Sequence, residues 1–286
     1  MPTTKQRRQS ARRRLQRQLD RRRAAARRRR QRNSIIAVVV GVLVVVGGVA
    51  FSVTKFGGSA TTSAAATPTP SPSAASLPTR TPPAKPKRNP KKTSGPCKYA
   101  ETAATLSSAY TFDEGLPSDP KTTPNKDQVK VSMATGVGSI GVSLDEKKAP
   151  CAVQSFLYLM NKGFYNHTVC HRLTTSGIFV LQCGDPTGTG QGGPTYQFKD
   201  ENLSQASYAK GTVAMANSGP NTNGSQFFLI YKDSTSLPKK YTVIGTMDTA
   251  SVGVVQKVAN AGEDDSNGPG DGHPKTDVII DTMSLA

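Results

Sequence analysis

The 286-residue chain has no tryptophan, only three histidines and four cysteines. His167, His171 and His273 are scattered and no Cys-x-x-Cys occurs, so the ligand spacing of a metal centre is missing and neither a metal nor a cofactor is expected. No acidic residue lies between positions 35 and 96, and no cysteine follows the apolar run at 35–53 until Cys97, which argues against a lipoprotein anchor. No internal repeat is evident.

The formal charge of +18 is unevenly placed. Residues 1–34 hold fifteen Lys/Arg against the single acid Asp20, a net +14; residues 35–96 add seven more basic groups; the remainder from Cys97 is net −3. A net-negative domain gains little from counterion release, so no nucleic-acid partner is expected. Residues Ile35 to Val53 are nineteen uncharged, mostly aliphatic positions. As a helix they would span roughly 28 Å at about 1.5 Å per residue, enough to cross a bilayer. The basic tail before this run orients it with the N-terminus in the cytoplasm and the C-terminal domain outside, a single-pass plasma-membrane protein. A cleavable signal peptide is the rival reading, with a shorter apolar run as its usual mark. The tail itself suits orientation, and contact with anionic lipid would add about 1 kcal/mol per basic residue.

Residues 54–96 form a Thr/Ser/Ala/Pro tract that turns Pro/Lys-rich, a composition expected of a disordered linker. Residues 97–127 read as an irregular arm with a weak helical stretch near Thr102 to Ala109, possessing in Cys97 a means of being stapled to the domain. All four cysteines lie in the part expected outside the membrane, where disulfides are permitted, and they allow three complete pairings. From residue 128 to 286 the pattern is that of a mainly β domain. Val129, Val131, Met133 and then Ile140, Val142, Leu144 alternate across Gly136-Val137-Gly138 as a β-hairpin. Pro150 opens a helix with Val153, Phe156, Leu157 and Met160 on one face and Gly163 as its stop. Further strands are predicted at 168–173, 178–183, 212–216, 227–231, 241–246 and 278–282, with a second helix at 251–261. Eight short strands and two helices favour an antiparallel closed β-barrel capped by the helices.

The run Met215-Ala216-Asn217-Ser218-Gly219-Pro220-Asn221-Thr222-Asn223-Gly224-Ser225-Gln226-Phe227-Phe228 has a turn-forming middle and apolar ends. Amides beside aromatic rings suit a shallow groove that hydrogen-bonds a peptide backbone and packs an apolar side chain. Together with Phe164-Tyr165-Asn166, His171-Arg172 and Gln182-Cys183-Gly184-Asp185, in this order and spacing, the run resembles the cyclophilins over roughly Gln128 to Leu285. With its tail, apolar run and linker the chain is similar to membrane-anchored cyclophilins of actinobacteria.

The resemblance implies an eight-stranded barrel with a helix at each end and a peptidyl-prolyl cis/trans isomerase activity on proline-containing peptides and unfolded or exported proteins. A proline-binding scaffold or holdase with incidental catalysis is the alternative. It also implies that Arg172 is catalytic, that Phe179, Val180, Phe228 and Leu237 line the proline pocket, that Gln182 and Gln226 bond near the substrate carbonyl, and that Ala216 and Asn217 form the backbone-binding rim. Tyr241 stands where many members have a histidine, preserving an aromatic wall with a polar tip. On a strand His171 faces away from Arg172 and is read as structural. Cys170 then shares the face of Arg172 while Cys183 faces away from Gln182, which disfavours a Cys170 to Cys183 bridge. Two extra residues separate Arg172 from Phe179, leaving that loop's path open. Ser236 takes the place of a tryptophan used in cyclosporin binding, so cyclosporin affinity should be reduced while activity is kept. Calorimetry of the full chain with cyclosporin is expected to give weak binding, and a nanomolar dissociation constant would contradict this.

Overall fold

The computed structural model describes residues 77–123, 125 and 127–286. The basic tail (1–34), the apolar span (35–53) and the linker as far as residue 76 lie outside the described residues. Among the described residues no helix is long and apolar enough to cross a membrane.

The hairpin forms where the period of two placed it. Strand β1 (Val129–Thr135) pairs with β2 (Ile140–Leu144) in the register Val131↔Val142 and Met133↔Ile140. All four of these side chains are buried, with Leu144, on one face of the pair. Seven of the remaining eight sheet strands follow in chain order: β3 (Thr168–Val169), β4 (Arg172–Thr174), β5 (Val180–Cys183), β6 (Thr212–Met215), β7 (Phe227–Ile230), β8 (Val243–Met247) and β9 (Asp271–Gly272). The last is β10 (Ile279–Leu285). They join one curled ten-stranded antiparallel sheet in the order β9-β4-β5-β7-β6-β8-β2-β1-β10-β3. The chain passes from β3 to β4 through Cys170 and His171 alone, so the strand at one edge of the sheet is tied by two residues to the strand next to the other edge. The difference from the eight predicted strands has two sources: the single strand at 168–173 is broken at Cys170-His171, and β9 is a two-residue strand within a glycine-rich loop that carries no alternation to read.

The short helix α1 (Ala103–Ser107) lies in the arm, where Thr102 caps it by accepting from the Thr105 amide at 3.0 Å. Helix α2 (Pro150–Asn161) has proline in its first turn, and Gly163 at φ 67° follows it. Of its predicted face, Val153, Phe156 and Met160 are buried and Leu157 is half-buried, with Ala152 and Leu159 completing the contact. In α3 (Thr249–Ala261) the Asp248 carboxylate accepts from the Ser251 amide at 2.7 Å, and Val252, Val255 and Val258 turn inward. Both long helices pack on the same apolar cluster as the hairpin, with Phe164, Tyr165, Phe227 and Leu229 at its centre.

Residues 77–96 correct the expectation of a disordered linker as far as Pro96. Two of their basic residues, Arg80 and Arg88, find partners on the arm and the domain. The Arg80 guanidinium lies 4.8 Å from the Phe112 ring centroid and donates to the Phe164 carbonyl at 3.0 Å. Arg88 pairs with the buried Glu101 and with Asp113. Composition alone averages over such contacts. The arm is also stapled: Cys97 is bonded to Cys151 at the start of α2. The second disulfide, Cys170–Cys183, corrects the alternation argument. Cys170 and His171 lie in no strand, so the face assigned to Cys170 by counting back from Arg172 does not hold. Its Cα sits 4.0 Å from that of Cys183.

Candidate active site

One row of cross-strand neighbours defines the site. Arg172 on β4 stands opposite Gln182 on β5, Gln182 opposite Phe228 on β7, and Phe228 opposite Ala214 on β6. Directly opposed residues of antiparallel strands present their side chains on one face, with Cβ atoms about 5 Å apart. The odd-numbered neighbours Leu181, Phe227, Leu229, Val213 and Met215 turn to the main core. The even-numbered Val180, Phe228, Ile230, Ala214 and Ala216 turn to the other face, where they join Leu237 and Tyr208 in a second apolar cluster. Tyr241 packs on this cluster with its ring 5.3 Å from that of Phe228, edge to face.

The predicted pocket residues Val180, Phe228, Leu237 and Tyr241 are thus brought together. Phe179 is not. It precedes β5 at an odd position, packs half-buried toward the main core 6.0 Å from the Tyr231 ring, and has the Lys232 ammonium over its face at 4.4 Å. Tyr208, absent from the sequence reading, holds Tyr241: its hydroxyl accepts from the Tyr241 amide at 3.0 Å and donates to the Tyr241 carbonyl at 2.9 Å. The lengthened loop before Phe179 is anchored by Ser236, whose hydroxyl donates to the Gly177 carbonyl at 2.6 Å.

Beside the apolar wall runs a continuous polar chain. Arg172 donates from Nη1 to Gln182 Oε1 at 3.1 Å; Gln182 Nε2 donates to Gln226 Oε1 at 2.7 Å; Gln226 Nε2 donates to the carbonyls of Gly190 and Gly192 at 3.0 and 2.9 Å. Those carbonyls are fixed in turn by Asp185, fully buried, which accepts from the Gly190 amide at 2.6 Å and from the Thr187 hydroxyl at 2.7 Å. Gly192 passes so close that a Cβ there would meet an Asp185 carboxylate oxygen at 1.7 Å. Gln182, Ala216, Asn217 and Gln226 border a cavity of about 400 Å³.

The turn after β6 is held from beneath by Asp200. Its carboxylate accepts from the Asn221 amide at 2.7 Å and from the Asn223 side chain at 2.8 Å. The Asn217 amide group bonds to the Lys240 carbonyl at 2.8 Å, so this rim residue braces the turn with its side chain.

The far side of Arg172 holds a residue with no signal in the sequence. Asp271 accepts from Arg172 Nε at 2.8 Å and from Nη2 at 2.6 Å. These bonds raise the arginine pKa and lower that of the carboxylate, so both are charged. A second cavity, of about 460 Å³, lies along Arg172, Gln182, Asp271 and His273 and reaches His171.

His171 is 7% exposed, and among the described residues neither ring nitrogen has a hydrogen-bond partner. Burial lowers its pKa to about 4, against an opposing pull from Asp185. The imidazole is therefore neutral at pH 7, in keeping with a structural role. Because its folded pKa lies below the ordinary 6.5, the folded state loses stability as pH falls from about 6.5 toward 4. An NMR titration of the His171 ring is expected to show a midpoint near 4; a midpoint near 6.5 would contradict this burial account.

The family model for cyclophilin type peptidyl-prolyl cis-trans isomerase/CLD matches residues 130–285. A probable peptidyl-prolyl cis-trans isomerase B of Mycobacterium leprae is 47% identical over 183 residues, covering 59% of this chain and 59% of its own. The protein of the same name from Mycobacterium tuberculosis is 46% identical over 183 residues, covering 59% and 58%. The chain thus spans about three fifths of the length of these curated relatives. A solved cyclophilin type isomerase of Cryptosporidium parvum, determined in the presence of the dipeptide Ala-Pro, aligns at 29% identity over 55% of this chain and 98% of its own, with a TM-score of 0.48. With the family model covering more than half of its length, this chain belongs to the cyclophilin type peptidyl-prolyl cis-trans isomerase family.

Proposed function

We propose that the chain catalyses cis/trans isomerisation of X-Pro bonds in exported proteins, from a position tethered to the outer face of the plasma membrane. The observation that carries the catalytic part is the row Arg172-Gln182-Phe228-Ala214, which sets a charged donor beside an apolar wall on one sheet face. The reaction makes and breaks no covalent bond. Its barrier of about 18–20 kcal/mol is amide resonance, and uncatalysed rotation takes tens to hundreds of seconds. A catalyst must hold the twisted amide more tightly than either planar form.

The proline ring would sit against Phe228, Leu237, Tyr241 and Val180. The nitrogen lone pair of the twisted amide is released from conjugation and can accept an Arg172 N–H. A hydrogen bond from a charged donor contributes about 1.5–3 kcal/mol, roughly ten- to a hundredfold in rate. Gln182 is held by the polar chain with one Nε2 hydrogen left for the substrate carbonyl, while Gln226, whose two Nε2 hydrogens go to Gly190 and Gly192, braces it, so neither has to reorganise. We read the curled sheet as the family's eight-stranded barrel, with β3 and β4 as one interrupted strand and β9 as an addition. The tether and the lipid contact rest on the apolar run and basic tail of the sequence. Weak cyclosporin binding is supported by Ser236, whose hydroxyl is bonded to Gly177.

In a protease-coupled assay on the full chain, Arg172→Ala is expected to lower kcat/KM by about ten- to a hundredfold while peptide binding persists. Unchanged kcat/KM would contradict the catalytic assignment and leave the scaffold reading in its place.

A further inference from the structure

A guanidinium has five N–H groups. In this site Asp271 takes the Nε hydrogen and one on Nη2, and Gln182 takes one on Nη1. Two remain without a protein acceptor among the described residues, one on each Nη. We infer that Asp271 is a positioning residue for isomerisation: its two-point grip on the Nε and Nη2 edge fixes the plane of Arg172 so that these two N–H groups are held ready for the substrate amide. This rests on the proposed isomerase activity and assigns a part of the site that the apolar wall and the amides do not supply.

The position of Asp271 is itself built. Strand β9 pairs with β4 in the register Asp271↔Thr174 and Gly272↔Leu173, which sets Asp271 diagonally across from Arg172 on the same face. The loop from Gly262 to Gly270 is folded to deliver it. Asp264 Oδ1 accepts from the Ser266 and His273 amides at 3.0 and 2.8 Å, and Asp265 Oδ1 accepts from the Gly270 amide at 2.7 Å. The Asn267 side chain donates to Asp271 Oδ1 at 3.2 Å, fixing the carboxylate from its outer side. Gly270 has φ 75°, and a Cβ on Gly272 would meet Asp264 at 2.3 Å, so the loop closes only with glycine flanking Asp271. The Gly270 carbonyl accepts from the Thr175 amide at 2.9 Å, and Glu263 accepts from the Thr175 hydroxyl at 3.2 Å, tying the loop to the end of β4.

An ordinary surface pair would add little stability and would leave turnover alone. This pair differs in being bidentate, with side chains 30% and 27% exposed, and in continuing through Arg172 into Gln182 and Gln226. Freed from Asp271, the guanidinium would keep one bond to Gln182 and could rotate about it. The substrate would still enter the apolar pocket, so the loss should fall on kcat and spare KM.

The test compares wild type, Asp271→Ala and Asp271→Asn in the full chain, with kcat and KM separated on an Ala-Pro peptide. The expected result for Asp271→Ala is a fall in kcat of about tenfold with KM within about threefold, corresponding to loss of a charge-assisted pair in the transition state. Asp271→Asn retains one acceptor in the same volume and should fall between the two. It also answers for Asp271→Ala should that variant not fold. The Arg172 Nε–H signal should exchange slowly with solvent in wild type and rapidly in Asp271→Ala. Wild-type kcat in both variants, or a raised KM at unchanged kcat, overturns the inference while the isomerase reading stands. An inactive wild type fails the isomerase reading, and the inference falls with it.

Discussion

The site depends on the register that sets Arg172 opposite Gln182. A strand slip of one residue would exchange the two faces, sending Arg172 toward the core and Leu173 toward solvent. With the register as it is, a single polar chain runs from Asp271 through Arg172, Gln182 and Gln226 to the carbonyls of Gly190 and Gly192, and each member orients the next. The buried carboxylate of Asp185 fixes the far end and the β9 loop fixes the near one. A donor held at both ends needs little reorganisation when an amide twists in front of it.

The same alternation divides the apolar side chains of β5, β6 and β7 between two tasks. Leu181, Met215 and Phe227 join the core on which α2 and α3 pack, whereas Val180, Ala216 and Phe228 form a second buried cluster on the opposite face of the sheet. The proposed proline site is therefore built on the outer surface of a sheet whose inner surface holds the fold together. The disulfides reinforce this arrangement from two directions. Cys97–Cys151 spans 54 residues and ties the arm to α2; closing a loop of that length limits the unfolded chain by about 4 kcal/mol in the chain-entropy view. Cys170–Cys183 links the break between β3 and β4 to the strand carrying Gln182, two residues from Arg172 along the chain.

Much of the site was legible in the sequence because its residues lie in local motifs. Arg172, Gln182, Gln226 and Phe228 were readable from the cyclophilin-like segments, and helix α2 from its apolar spacing and its proline and glycine ends. The period of two also separates Val180 from Phe179, a distinction that the resemblance alone did not draw. What escaped depends on contacts between distant segments. Asp271 meets Arg172 across 99 positions, from a glycine-rich loop that carries no periodicity. The Cys170–Cys183 pairing was hidden because the strand breaks at the residues where alternation was being counted. Residues 77–96 have the composition of a free linker, yet Arg80 and Arg88 meet partners that only the folded arm and domain present.

The central claim is that this row of residues lowers the barrier to rotation about a prolyl bond. Exchange NMR on an Ala-Pro peptide with a substoichiometric amount of the full wild-type chain tests it without a coupling enzyme. The account predicts cross-peaks linking the cis and trans forms at mixing times below about one second, where uncatalysed rotation gives none. Cis and trans signals that stay unlinked at that mixing time, with the peptide shown to be bound, would contradict it.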